Sequence, residues 1–290
     1  MNESPLLSPL RRLLVVTGKG GVGKTAVAAA LGHRLAKVRP LRVLVIEVDP
    51  RDNLHQMFAT PPSGGAIVEV FPGLSVQNLK PRHVVDDIVR ERLKIALLSK
   101  RVIASPVYEH FTEGAPGLKE VAILGHALRR LEGIGGPAFD LVILDAPATG
   151  HGVSLLAAPG LLAEVVEKGP FGELGRRLAE FVADDDRCGV VAVTTAEEMP
   201  VQEVLELRVA LAAELGRKPD LLVVNGLYPA ATEDGAEDLW RRRRALNESE
   251  LGRLDAAWDG PRLDLPLLPM DRGPQLIAQL SERLHRGGLA

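Results

Sequence analysis

The strongest constraint on the fold of this chain is a set of apolar segments, each of which ends in polar residues or in a glycine-rich turn. These segments are residues 11–16, 41–49, 140–147, 188–195 and 220–227. Strands of parallel sheets are buried on both faces and are apolar throughout, whereas antiparallel strands commonly alternate apolar and polar residues. Helical patterns lie between the segments, for example at residues 25–38 and 201–215. The sequence therefore predicts an α/β fold with a doubly wound, mostly parallel sheet that is covered by helices.

The length and the spacing of these segments suggest one domain with additions. The chain has 290 residues, 46% of them hydrophobic, and we interpret residues 1–290 as a single domain. Roughly ninety residues separate the second apolar segment from the third, more than an ordinary crossover needs. Among them, residues 73–79 are a candidate edge strand, and most of the remainder has a helical pattern. We predict helical insertions at about residues 81–135 and, smaller, at about 160–186, which form a subdomain.

A glycine-rich stretch, GKGGVGKT at residues 18–25, lies between the first apolar segment and the first helical pattern. It matches G-x-x-x-x-G-K-[ST], in which backbone N–H groups surround phosphates. In such a loop the lysine, here Lys24, reaches the β- and γ-phosphates, and the hydroxyl of Thr25 binds Mg²⁺. The positive end of the helix that follows adds to the attraction. The predicted nucleotide-binding residues of this stretch are Gly18, Lys19, Gly20, Gly21, Val22, Gly23, Lys24, Thr25 and Ala26.

The same glycines also fit a different nucleotide site, the dinucleotide fingerprint G-x-G-x-x-G. Gly18, Gly20 and Gly23 have its spacing, and Glu47 ends the second apolar segment, where that class binds the ribose. A dinucleotide loop does not require a lysine and a threonine directly after its third glycine. The phosphate-loop interpretation is therefore favoured, with the dinucleotide site as its alternative.

Polar residues at the ends of three other apolar segments are candidates for the same site, because ligands bind at the carboxyl ends of parallel strands. Asp145 ends the segment LVILD and is positioned to support the shell of a magnesium ion. Asp49 is a candidate to orient or deprotonate an attacking water, although a turn before Pro50 explains it as well. Asn225 ends the segment LLVVN and either contacts an adenine edge or caps the strand.

Composition limits the environment and the partners of the protein. A net charge of −3 favours neither a nucleic-acid partner nor a charged membrane surface. Cys188 is the one cysteine, which excludes an internal disulfide framework and a CxxC zinc site within one chain. No run approaches the ~18 apolar residues of a membrane span, and the first residues lack a secretion signal. We expect a cytoplasmic protein without stable membrane insertion.

With its second lysine, Lys19, the stretch KGGVGKT resembles the deviant phosphate loop (deviant Walker A) of the dimeric SIMIBI-class ATPases, a group of P-loop NTPases. Residues 145–159, DAPATGHGVSLLAAP, resemble the second switch of the arsenite-pump (ArsA) and tail-anchored-protein-targeting ATPases. Residues 48–58 resemble the first switch of that family. Further similar segments are residues 194–207, 223–229 and 265–273. The resemblance covers most of the chain.

This resemblance implies a dimer that hydrolyses ATP with Mg²⁺. Lys19, the signature lysine of the group, is implied to reach the nucleotide of the partner subunit, where it acts like an arginine finger in trans. Asn225 and the late loop with Pro266 are implied to contact adenine. The implied catalytic residues are Lys19, Lys24 and Asp49. The implied magnesium ligands are Thr25 and, through water, Asp145.

Three departures from the family pattern bear on the expected function. The arsenite pump joins two halves and binds metalloid through several cysteines, whereas this chain has the length of one half and a single cysteine. We therefore expect neither metalloid nor zinc binding. Four methionines are few for an adaptable hydrophobic client groove. Arg51 and Asp52 replace the alanine and histidine of the first switch, which leaves the rate of hydrolysis open.

Three functions remain as alternatives. The first is an ATP-driven carrier of a hydrophobic protein client, working as a homodimer or as a heterodimer with a paralogous ATPase. The second is a spatial-positioning ATPase like the partition and division-site proteins (ParA, MinD), which is less favoured because residues 274–290 are only mildly basic. The third is a weakly hydrolysing regulatory partner of a paralogous subunit.

Overall fold

The computed structural model describes residues 8, 10–49, 51–93, 96–106, 108, 114, 117–147, 151–166, 168–229 and 238–286. Eight strands of this part of the chain form one sheet. They are β1 (Leu13–Thr17), β2 (Val43–Glu47), β3 (Val68–Phe71), β4 (Leu74–Asn78), β5 (Leu141–Asp145), β6 (Cys188–Thr195), β7 (Leu221–Leu227) and β8 (Arg262–Pro266). Their order across the sheet is β3-β4-β2-β5-β1-β6-β7-β8. Neighbouring strands are parallel, apart from the antiparallel pair β3 and β4, so the predicted mostly parallel sheet is confirmed.

Helices cover both faces of this sheet. They are α1 (Lys24–Val38), α2 (Asn53–Met57), α3 (Pro81–Leu93), α4 (Ala96–Ile103), α5 (Leu118–Leu131), α6 (His151–Val165), α7 (Pro170–Ala183), α8 (Glu198–Leu215), α9 (Asp238–Ala257) and α10 (Pro274–Arg286). α1 and α10 share the core of one face, and α5, α6 and α7 share the core of the other. The described helices include none that is both long enough and apolar enough to span a bilayer.

The side chains of β1 explain why the central residues of the apolar segments do not alternate between apolar and polar. Leu13 and Val15 lie in the core beneath α5, α6 and α7, whereas Leu14 and Val16 lie in the core beneath α1 and α10. All four are at most 1% exposed. Full burial of each such side chain contributes about 1.5–3 kcal/mol. One strand therefore stabilises both layers, which is the physical basis of the pattern in the sequence.

The two edges of the sheet differ from the prediction. Residues 73–79 do contain a strand, β4, but the prediction that it is an edge strand is wrong, because β3 pairs with its outer side. β3 has four residues, is only half-buried and contains Glu69, so it lacks an apolar run. β8, at the opposite edge, is also absent from the prediction, since Arg262 and Asp264 interrupt its apolar residues.

Helices occupy both segments that the sequence predicts as insertions. Between β4 and β5 the described chain forms α3, α4 and α5, and α5 buries Val121, Leu124 and Leu128 in the core. After β5, α6 and α7 pack along each other, with Leu178 of α7 buried. That these helices form a subdomain, bounded at about residues 81–135 and 160–186, stays a prediction.

Candidate functional site

Most of the predicted site residues lie together where the central parallel strands end, on the carboxyl-terminal side of the sheet. In the register of β2 and β5, Glu47 lies beside Asp145, and Asp145 lies beside Val16 of β1. In the register of β6 and β7, Thr195 lies beside Asn225. The loop after β1 therefore stands between acidic residues on one side and an amide on the other.

Two glycines of this loop are required by close approaches. Gly18 has φ 147°, and a Cβ there would lie 2.0 Å from the carbonyl oxygen of Val193 in β6. Gly23 precedes α1 with φ 90°, and a Cβ there would lie 2.3 Å from Nδ2 of Asn225 in β7. Glycine adopts these conformations without steric cost. The neighbouring strands thus fix the path of the loop at both ends.

Lys24, the first residue of α1, is buried behind the loop with 8% of its surface exposed. Its Nζ donates a hydrogen bond of 3.0 Å to the carbonyl oxygen of Lys19. Burial lowers the pKa of Lys24, and the carboxylates of Asp145 and Asp49 act in the opposite direction. The ammonium group therefore lies in a pocket of low polarity that anionic groups make favourable for it.

Thr25 and Asp145 form the second feature of the site. Thr25 Oγ1 donates a hydrogen bond of 2.6 Å to Asp145 Oδ2. Asp145 is 4% exposed, and its buried Oδ1 has no hydrogen-bond partner among the described residues. Burial raises the pKa of Asp145 to about 7, although the Thr25 bond and the charge of Lys24 oppose this. A buried carboxylate oxygen without a donor, next to a hydroxyl, fits a hard cation such as Mg²⁺.

A cleft of about 340 Å³ opens beside these groups. Its volume lies within the usual range for small-molecule sites. Eight of the predicted site residues line it, namely Gly20, Gly21, Gly23, Lys24, Thr25, Ala26, Asp49 and Asp145.

Glu47 also lines this cleft, but its carboxylate is occupied by its own chain. Its Oε1 accepts Nδ2 of Asn53 at 2.6 Å, and its Oε2 accepts the backbone N–H of Leu54 at 3.1 Å. Burial raises the pKa of Glu47, while these hydrogen bonds lower it. Glu47 thus holds the start of α2 and is not a free ribose ligand, which weakens the dinucleotide alternative.

Asp49 lies in the cleft wall just beyond β2. Its Oδ1 accepts the backbone N–H of Arg51 at 2.7 Å, an arrangement in which an aspartate closes a turn on itself. Asp49 thus lines the cleft, and its carboxylate also stabilises the local turn. Pro50 and residues 148–150 of the second switch lie outside the described residues, as does the side chain of His151.

Asn225 and Pro266, the predicted adenine contacts, lie on neighbouring strands. Asn225 Nδ2 donates a hydrogen bond of 2.9 Å to the carbonyl oxygen of Val22, a residue that is 2% exposed. Pro266 ends β8 beside Leu227 of β7. The Asn225 amide thus stabilises the phosphate loop through the Val22 carbonyl. That Asn225 or Pro266 contacts adenine stays a prediction.

Lys19 points away from the cleft that Lys24 lines. With Thr17 and Gly18 it borders a second cavity of about 450 Å³, and its Nζ forms an ion pair with Glu203 of α8. The two predicted lysines therefore lie on different sides of the same loop.

Three residues that shape these cavities are absent from the sequence analysis. Arg272 and Leu276, which follow β8, line the cleft beside the loop, and Glu203 pairs with Lys19. Arg272 falls in a segment that resembles the family, which is the one signal that could have marked it. Glu203 also falls in such a segment, residues 194–207, but its contact with Lys19 leaves no local signal, because the two residues are 184 positions apart in the chain.

Comparison with known proteins identifies relatives over most of the chain. The model of the anion-transporting ATPase family (ArsA_ATPase) matches residues 11–174 and 171–286. An arsenical pump-driving ATPase of Escherichia coli is 30% identical in an alignment of 256 positions, which covers 80% of this chain and 42% of that protein. ATPase BagA of Mycobacterium tuberculosis is 29% identical in an alignment of 237 positions, which covers 77% of this chain and 67% of that protein. ATPase asna-1 of Caenorhabditis elegans is 26% identical in an alignment of 322 positions including gaps, which covers 93% of this chain and 92% of that protein.

The chain spans less than half the length of the arsenical pump-driving ATPases that it matches. The family model nevertheless covers residues 11 to 286. The resemblance noted in the phosphate loop and the switches points to the same group, and the strands that precede those segments, β1, β2 and β5, are adjacent in the sheet. This chain belongs to the anion-transporting ATPase family.

Proposed function

We propose that this chain is a Mg²⁺-dependent ATPase, and one contact carries the proposal. It is the hydrogen bond of 2.6 Å between Thr25 and Asp145, beside a buried Asp145 oxygen that lacks a described partner. A hydroxyl and a strand-end carboxylate are the groups that hold magnesium next to a phosphate loop. Membership of the anion-transporting ATPase family supports ATP as the substrate.

Lys24 and the loop N–H groups hold the β- and γ-phosphates in this proposal. Burial lowers the pKa of Lys24, and the nearby carboxylates partly offset that effect. A bound triphosphate adds negative charge and, like these carboxylates, raises the pKa of Lys24, which favours its charged form. Thr25 and, through water, Asp145 would hold a magnesium ion, which would supply positive charge next to the phosphate oxygens.

Asp49 orients the water that attacks the γ-phosphate. Its carboxylate lines the same cleft as Lys24 and Thr25, which meets the first requirement for this role. The N–H of Arg51 restrains the orientation of this carboxylate through a hydrogen bond of 2.7 Å to Oδ1. Positioning of the water and stabilisation of charge supply most of the catalysis in phosphoryl transfer.

Lys19 acts on the nucleotide of a partner subunit in the proposed mechanism. The observation that supports this role is its direction, because its side chain borders the second cavity and not the cleft of its own chain. ATP closes two chains, Lys19 neutralises the charge that develops on the transferred phosphoryl group, and hydrolysis releases the dimer. The partner is a second copy of this chain or a paralogous ATPase, and we place the dimer in the cytoplasm.

The helices α3 to α7 form the client or partner surface in this proposal. Leu161 and Val165 lie one turn apart on α6 and are 60% and 82% exposed. Side chains four residues apart share one helix face, so the two form a small exposed apolar patch. Replacing both by serine should reduce ATP-dependent capture of an apolar helical peptide of about 20 residues. Val209→Ser, at a residue of α8 that is 61% exposed, is the matched control.

Arsenical pump driving, the role for which several relatives are named, is not part of the proposal. Cys188 is the only cysteine and is fully buried in β6. Burial raises the pKa of its thiol to about 11. A thiol held neutral in the core is a poor ligand for a soft metalloid, because the thiolate is the binding form.

Regulatory partnership with a paralogous subunit is the second candidate. The observation that favours it is the pair Arg51 and Asp52, which alters the first switch directly beside Asp49. A positioning role like that of the partition proteins has less support. Sedimentation with liposomes and with DNA, each with and without ATP, separates that role from the others.

ATP hydrolysis against protein concentration tests the proposal. Specific activity should rise with concentration, and sedimentation should show that ATP shifts the mass to a dimer. Lys19→Ala should lower turnover at saturating protein by about 10³-fold or more, as loss of a charge-neutralising finger does. Lys19→Arg, which keeps the charge, is the control. ATP binding without turnover at every concentration would favour the regulatory partner, and activity independent of concentration would contradict the dimer.

A further inference from the structure

The side chain of Lys19 is held by its own chain. Its backbone carbonyl accepts Lys24 Nζ at 3.0 Å, on the side of the cleft. Its own Nζ forms an ion pair with Glu203 of α8, on the other side of the loop. The side chains of Lys19 and Glu203 are 27% and 28% exposed, so the pair is partly shielded from solvent.

The surroundings of this pair favour the same position of Lys19. α8 contributes three carboxylates to the second cavity, from Glu203, Glu206 and Glu214, and Lys19 is the one cation in the described lining. Opposite charges within a few ångströms attract most strongly where solvent is partly excluded. The acidic wall thus draws the ammonium group toward α8 and away from the cleft.

We propose that Glu203 is a positioning residue, which holds Lys19 in cis in the free chain and releases it when two chains close on ATP. The proposal rests on the dimeric mechanism above, in which Lys19 acts in trans. In this proposal the ammonium group leaves Glu203 of its own chain in order to reach the phosphates of the partner. Closure therefore requires that the ion pair opens in each of the two chains.

The size of this effect follows from the exposure of the pair. A partly exposed ion pair shifts an equilibrium by up to about fivefold. Two copies open when a symmetric dimer closes, so the concentration for half-maximal association shifts by up to about 25-fold. Salt screens such pairs, which adds a second signature.

The test is ATPase activity over a range of protein concentrations for the wild type, Glu203→Gln and Glu206→Gln. Glu206 lines the same cavity one helical turn away, and its substitution removes the same charge without removing the pair. Glu203→Gln should reach half-maximal activity at a several-fold lower concentration, with an unchanged kcat at saturation. Glu206→Gln should follow the wild type. The difference between Glu203→Gln and the wild type should shrink as salt is raised.

Besides an unchanged activity curve for Glu203→Gln, two results would overturn the proposal that Glu203 clamps Lys19. One is a lower kcat for Glu203→Gln with an unchanged half-maximal concentration, which would mean that Glu203 orients Lys19 in the closed dimer. The other is an equal shift for both variants, which would mean that only the total charge of the cavity matters. Thermal unfolding and ATP affinity, measured on each variant, show that the chains are folded and bind nucleotide.

The clamp and the dimeric mechanism fail in different ways. If Lys19→Ala keeps full turnover, the dimeric mechanism is what fails, whatever Glu203→Gln does. If Lys19→Ala is inactive and Glu203→Gln matches the wild type at every concentration, only the clamp fails.

Discussion

Replacing Asp145 by asparagine should change how the stability of the nucleotide-free protein depends on pH. Asp145 is 4% exposed, and burial raises its pKa to about 7. In the unfolded chain an aspartate has a pKa of about 3.9. The folded state therefore holds the proton more tightly, so the stability from this carboxyl is full below about pH 4 and is lost as the pH rises through 7. Asparagine does not titrate and lacks this loss.

The two pKa values set the magnitude. A carboxyl with values of about 3.9 unfolded and about 7 folded costs on the order of 2–3 kcal/mol of stability between pH 5 and pH 8. The free energy of unfolding of the wild type should fall by that amount relative to Asp145→Asn. In a chain of this size the difference corresponds to roughly 5 °C in Tm or more. Mg²⁺ with ATP should reduce the difference, because a bound cation favours the carboxylate.

Denaturant unfolding at pH 5, 6, 7 and 8, with a chelator and without nucleotide, measures the effect. Asp140→Asn is the control, because Asp140 is an exposed carboxylate just before the same strand and accepts the N–H of Arg42 at 2.8 Å. If the free energy of unfolding changed with pH in the same way for the wild type and Asp145→Asn, the argument from burial would be refuted. The claim that this carboxyl is suited to bind a cation would then lose its support.

Three further substitutions test the loop and the core. Gly18→Ala should abolish ATP binding in a calorimetric titration, because its Cβ would lie 2.0 Å from the Val193 carbonyl oxygen and displace the loop. Asn225→Ala removes the 2.9 Å bond to the Val22 carbonyl and should weaken ATP and GTP alike by about tenfold in competition binding. Arg217→Met should lower the free energy of unfolding by about 3 kcal/mol in denaturant. Arg217 is 5% exposed, donates to two backbone carbonyls and pairs with two carboxylates.

Matched variants show which outcomes would contradict these expectations. Gly216→Ala shares a positive φ, 65°, but has no atom within 4 Å of the added Cβ, so ATP binding should be normal. A Gly18→Ala protein that binds ATP equally well would disprove the steric argument. A loss for Asn225→Ala that is confined to ATP would instead support an adenine contact. Arg90→Met removes an exposed pair with Asp87 and should cost less than about 1 kcal/mol, and an equal cost for Arg217 would contradict its buried role.

The centre of the sheet could be predicted from the sequence, because strands buried on both faces leave a long apolar run. β6, at Cys188–Thr195, has the predicted bounds, and β2, β5 and β7 lie within the predicted segments. β1 extends one residue beyond its predicted segment, to Thr17. The edge strands β3 and β8 could not, since half-buried strands tolerate Glu69 and Asp264 and lose the signal. An edge position depends on which strand pairs outside it, and that pairing is not a property of one segment.

The residues around the loop were predictable for a similar reason. One short motif contains Gly18, Lys24 and Thr25, so they lie in the same loop and helix start. The parallel pairing of β5 with β1 and β2 brings Asp145 next to that loop. The contact of Lys19 with Glu203 depends on how α8 lies across the loop, and a linear pattern carries no information about that packing. The role of Glu47 at the start of α2 is hidden in the same way, because its partners depend on the turn after β2.

The action of Lys19 across a dimer can be tested directly by mixing two inactive variants. The Lys19→Ala chain has an intact cleft but cannot supply Lys19 to its partner. The Asp49→Asn chain can supply Lys19 to its partner, but its own cleft should be inactive. In a mixed dimer, the cleft of the first chain receives the lysine of the second. Equal amounts of freely exchanging chains should recover about a quarter of the wild-type ATPase rate, because half of the dimers are mixed and each has one active cleft. A mixture no more active than its two components would contradict the account.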